Sequence, residues 1–168
     1  MNALPLEHYF ASEKVSGYLL GLLGLIALAL CIALYKAAPA LADYAQFIRG
    51  ASISSAPFAL IMLVVGAVIA LRTDRQVQAL QTLRRSNPSL LLEQEHTRMT
   101  KVVRGFRWYL RIEIAALLAG LALLFGPHSG ALQQGAGLGL LLLPAALLLI
   151  DGYLLRNAKR YQHWLTHQ

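Results

Sequence analysis

The stretch WYLRIEIAALLAGLALLFG, residues 108–126, carries Arg111 and Glu113 into the opening turns of a run otherwise apolar enough to dissolve in lipid. Its length approaches the ~20 residues needed to cross a bilayer core of about 30 Å. Reading it as a transmembrane helix decides the fold, because three further runs share its character. They cover residues 15–35, 54–71 and 135–155. Composition agrees: the 168 residues are 57% hydrophobic and 14% charged, against about 45–50% and about 25% in soluble domains.

The first run ends near Ala40-Leu41-Ala42, a small-residue pattern like a signal-peptide cleavage site. Its apolar core exceeds the roughly 7–15 residues such peptides use, so a retained helix is expected. The single cysteine, Cys31, lies inside this run, cannot form an intrachain disulfide and reads as a packed thiol.

Four spans put both termini and the loop between the second and third spans on one side. Thirteen of the fifteen Lys and Arg residues fall there, leaving Lys36 and Arg49 for the other side. The positive-inside rule then predicts cytoplasmic termini in a bacterial inner membrane. It also assigns the net charge of +7 to topology rather than to nucleic acid.

Helical periodicity continues beyond the spans. Val77, Leu80 and Leu83 recur every three residues, and Asn87-Pro88-Ser89 supplies a break and a restart. A cytoplasmic hairpin over about 73–106 is expected, with Glu93 and Glu95 on a solvated face opposite Arg84 and Arg85. The tail past Arg156 keeps helical spacing through Tyr161, Trp164 and Leu165, as a bundle cap or an interfacial helix. On the outer side, 39–50 reads as a short amphipathic segment and 127–134 as a tight connection. The expected fold is therefore all-α: one polytopic membrane domain over 1–168, with four transmembrane helices in an antiparallel bundle and a cytoplasmic helical hairpin.

Residues on a helix turn 100° apiece, so Arg111 and Glu113 point about 200° apart and each needs a partner elsewhere. Arg111 can snorkel to the headgroups. Glu113, about 9 Å deeper than Arg107, costs about 2.5–3.5 kcal/mol unless it faces the bundle or water. Asp151 reaches a similar depth on the antiparallel fourth span, and Lys14 and Arg72 occupy the same cytoplasmic layer. The expectation is a binding-site candidate in one polar layer made of Lys14, Arg72, Arg111, Glu113 and Asp151. It is either an ion network fixing helix register or a ligand or proton site, and two acids at one depth can share a proton.

Gly17, Gly21 and Gly24 give span one a small-residue face for close helix approach, within the monomer or in a homo-oligomer. Gly135, Gly137 and Gly139 lack the strand and acidic follower of a nucleotide loop. Pro144 removes a backbone donor in mid-span, and a kink is expected. His8, His96, His128, His163 and His167 show no ligand spacing, and no protease dyad is evident. No metal, cofactor or enzymatic activity is expected.

YFASEK at 9–14, EHTRM at 95–99, FRWYLRIEI at 106–114, GAGLGL at 135–140 and Asp151 together resemble a group of uncharacterised bacterial four-helix inner-membrane proteins. In size and topology the chain is also similar to immunity proteins that protect bacteria from membrane-active toxins. That likeness implies a non-enzymatic protein that contacts lipid and binds a membrane-embedded partner, a pore-forming toxin. The intramembrane acids carry the alternative expectation, a small transporter or channel component.

Overall fold

The computed structural model describes residues 4–86, 88–127 and 129–167. Among them every regular element is helical: α1 (Leu4–Ala37), a 3-10 segment (Ala38–Tyr44), α2 (Ala45–Ser86), α3 (Pro88–Phe125) and α4 (Ala131–Thr166). At 1.5 Å per residue the helices are roughly 50–60 Å long, well beyond the thickness of a hydrocarbon core.

Three uninterrupted helical stretches are long and apolar enough to cross a membrane: Tyr9–Leu83, Leu90–Phe125 and Ala131–Thr166. The sequence expectation of four separate helices is corrected to three continuous helical stretches. The chain stays helical through Ala38–Tyr44, with Pro39 in its first turn, so α1 and α2 form one stretch of 75 residues. The stretch nevertheless doubles back where Leu41 and Ala42 leave helical geometry, Ala42 at φ 23°. The expected amphipathic outer segment is this reversal plus the opening turns of α2.

Glycines set how the helices meet. Gly17 faces Ile69 and Ala70, and Gly24 faces Ala59 and Leu63, so α1 and α2 run antiparallel. Gly66 of α2 abuts the Gly21 backbone. The small-residue face of α1 is therefore used within the monomer. On α4 the alternating glycines serve two neighbours: Gly135 and Gly139 lie against Phe47 and Ser54 of α2, while Gly137 lies against Gly120 and Leu124 of α3. The closest packing thus runs in the order α1, α2, α4, α3, with α2 and α4 central and parallel. Most of each apolar window is left uncovered by the protein itself.

At the Arg-rich end all four helices contribute to one core. Tyr9 and Phe10 from α1, Met99 and Val103 from α3, and Leu155, Ala158, Tyr161 and Leu165 from α4 are buried together, with Val77 and Leu80 of α2 packed on them. Tyr9 stacks on Tyr161 with centroids 4.5 Å apart. The α4 tail accordingly packs into the bundle rather than lying free, because Tyr161 and Leu165 fall on the buried stripe begun by Leu154 and Ala158. α2 ends at Ser86 and α3 starts at Pro88, around the expected break; Asn87 and His128 lie outside the described residues, as do the side chains of Arg84 and Arg85. Glu93 is exposed as expected, but Glu95 is not: it is 1% exposed. It shares a stripe with Leu91, Met99 and Val103 at i, i+4 spacing. α4 continues helically through Pro144, which is buried. At its start the Gln133 side chain accepts a hydrogen bond from the Gly130 N–H at 3.0 Å.

Candidate functional site

Among the described residues, four carboxylic side chains are buried in the helical bundle: Glu13, Glu95, Glu113 and Asp151. Each sits where helical periodicity sends a side chain inward. On α3, Glu113 continues the row of Met99, Val103 and Leu110 toward Gly120. On α4, Asp151 lies between Leu147 and Leu154. The antiparallel packing of these helices, set by Gly120 on Gly137 and by a 3.1 Å hydrogen bond from Gln162 Nε2 to Thr100 Oγ1, then brings Glu113 to the level of Asp151.

The α3–α4 register thus sets two buried carboxylic side chains at one level on neighbouring helices. They are 4% and 8% exposed, and Glu113 Oε2 is buried without a partner. Among the described residues the ion pairs are Lys14–Asp74, Arg72–Glu13 and Arg98–Glu95. None reaches Glu113 or Asp151. A hydrogen bond between two carboxyls requires a proton on one of them. Two full negative charges close together in a sheltered site would repel strongly. The arrangement is chemically suited to holding one proton, or a small cation in its place, between the two acids.

Of the five residues expected in one layer, the structure unites Glu113 with Asp151 and places the three cations elsewhere. Arg111 is exposed, its guanidinium 5.2 Å from the Trp108 ring centre, as the 200° separation from Glu113 dictates. Lys14 bonds Asp74 at 2.7 Å, since the α1–α2 register that sets Gly17 against Ile69 puts Lys14 opposite the turn after Arg72. Arg72 itself donates to Glu13 Oε1 at 3.0 Å. The Lys14–Asp74 pair is exposed on the Asp side, where solvent screens the attraction and leaves it little weight in stability. Lys14→Ala should therefore leave the unfolding midpoint in detergent close to that of the wild type, measured by denaturant titration; a clear loss would mean the pair is better shielded than its exposure indicates.

Sequence reasoning missed Glu13, Glu95 and Asp74. The signal for Glu13 was available: Phe10, Glu13, Gly17, Leu20, Gly24 and Cys31 step by three, four and seven residues along one face of α1. Glu95 is held bidentately by Arg98, at 2.8 Å to Nε and 2.6 Å to Nη2. The Arg98 guanidinium also lies 5.3 Å from the Phe10 ring centre. Burial opposes the charge on Arg98, but the hydrogen bonds and field of Glu95 outweigh it and hold its pKa above the ordinary value. No family model, curated protein or solved structure matches this chain.

Proposed function

We propose that this protein is a non-enzymatic, multi-pass protein of the bacterial inner membrane, crossing it four times with both termini in the cytoplasm, and that its working element is the Glu113–Asp151 pair. The four spans are α1, the first half of α2, the second half of α3 and most of α4; the rest of α2 and α3 forms the cytoplasmic hairpin. The pair takes up a proton or a small cation, as a component of a small transporter or channel would. The observation that carries this reading is the placement of two buried carboxyls at one level on neighbouring helices, with no basic side chain among the described residues bonded to either. Ionisable groups inside a membrane are costly and are kept where they serve a path or a bound ion. If this is so, proteoliposomes holding the purified protein will pass protons or a monovalent cation down an imposed gradient, and Glu113→Gln will reduce that flux to the level of empty liposomes. Equal flux in the variant would refute the assignment.

A second reading has its own support. The outer helix α1 presents Val15, Leu19, Leu22, Leu23 and Ile26 on an exposed apolar surface that lipid or another membrane helix would cover. Under this reading the chain is an immunity protein, akin to the four-helix inner-membrane group, and engages a pore-forming toxin in the bilayer. Coexpression with a toxin encoded beside its gene should then restore growth, and absence of protection would remove the reading.

A further inference from the structure

Between the Arg-rich end and the carboxyl pair lies a small cavity of about 50 Å³, bordered by Glu13 and Ser12 of α1, Arg72 of α2, Phe106 of α3, and Leu154 and Asn157 of α4. A space of this size has room for a few water molecules. The Glu13 side chain is 9% exposed. Its Oε1 accepts from Arg72, while its Oε2 is buried without a partner. An orphaned carboxylate oxygen beside a water-sized void calls for a hydrogen-bond donor from outside the protein, and water is the donor that fits. Arg72, 43% exposed, connects this pocket with the solvent side. Asn157, whose Nδ2 lies 3.4 Å from Ser12 Oγ, lines the pocket from α4. Leu154 also lines it, and Asp151 is one turn further along the same stripe of α4, about 4.5 Å along the axis.

We propose that this hydrated pocket, with Glu13 as its carrier, is the port through which protons pass between the cytoplasm and the Glu113–Asp151 pair; the proposal rests on the reading of that pair as a proton site. In the inward direction a hydronium ion protonates Glu13 Oε2 and leaves as water. The new O–H bond then breaks as a pocket water takes the proton, and a further water beyond Leu154 relays it to a carboxylate oxygen of Asp151. Glu13 is left ionised beside Arg72, as it began. Tyr9 also lines the pocket but stacks on Tyr161, and the buried Glu95 is held by Arg98, so Glu13 is the acid with a free oxygen beside the pocket.

The test compares four forms of the full chain in proteoliposomes: wild type, E113Q, E13Q and N157L, the last filling the pocket from α4 while leaving the Glu13–Arg72 pair in place. Proton flux under an imposed pH gradient is read by an entrapped dye. The infrared carbonyl band of the protonated carboxyl, assigned by its loss in an E113Q/D151N double variant, reports on the pair itself. The port predicts at least tenfold slower flux in both E13Q and N157L, with the band intact, and restoration toward wild type in E13D. Wild-type flux in either E13Q or N157L overturns the port while leaving the pair as a proton site. Slow flux accompanied by loss of the band also overturns it, since Glu13 would then act by supporting the pair. A wild type no faster than empty liposomes refutes the proton site, and the port with it.

Discussion

Glu95→Ala is expected to cost about 3–5 kcal/mol of stability, the usual consequence of removing one member of a buried ion pair. The variant would leave the Arg98 guanidinium among Phe10, Met99 and the stacked Tyr9 and Tyr161 rings, without the two short hydrogen bonds that now neutralise it. The loss comes from the stranded cation rather than from the missing carboxylate. Two controls isolate it. Glu95→Gln keeps an acceptor for Arg98 and should lose less, and the double change Glu95→Ala with Arg98→Met should recover much of the stability, because no unpaired charge is left in the core. Unfolding in detergent followed by circular dichroism gives the comparison. A double variant as unstable as Glu95→Ala alone would show that the salt bridge is not what organises this end of the bundle.

The second large effect is expected at Gly66. A side chain there would run into the Gly21 backbone nitrogen and lie 2.6 Å from the Gly21 Cα and 2.7 Å from the Gly17 carbonyl oxygen. These are backbone atoms, so no rotamer change relieves the overlap; α1 and α2 must separate. Gly66→Leu should lose at least the ~1–3 kcal/mol typical of overpacking and should weaken the hairpin that carries Glu13 and Arg72. Gly21→Ala provides a sharp contrast. Its Cβ would meet nothing closer than 3.7 Å, an ordinary contact, and the variant should stay within about 0.5 kcal/mol of wild type. Thermal unfolding of the two proteins decides the matter. Equal losses would mean that the whole glycine face, rather than this one contact, sets the helix approach.

That contrast also marks what could be read from the chain alone. The glycine face of α1 was visible as spacing, but which glycine meets backbone depends on the register against α2, and register is a property of two helices together. The same holds for the acids. Apolar runs and the clustering of cations located the helices and the Arg-rich end, since length and charge asymmetry are one-dimensional signals. The meeting of Glu113 and Asp151 followed from counting inward from Arg107 and Arg156. Depth along a helix is not azimuth around it, however. Lys14 and Arg111 share that region of the chain yet point to solvent or along the surface, and the expectation that they would neutralise the acids failed for this reason. Glu95 was read as a surface charge because it lies in a polar stretch, whereas its four-residue spacing from Leu91 and Met99 assigns it to the interior.

The account depends most on Glu113 and Asp151 holding a proton between them without a basic partner. Infrared spectroscopy of the reconstituted protein at neutral pH measures this directly. The wild type should show the carbonyl band of a protonated carboxyl, and the E113Q/D151N double variant should lack it. A wild-type spectrum without that band, with both groups ionised, would contradict the central claim.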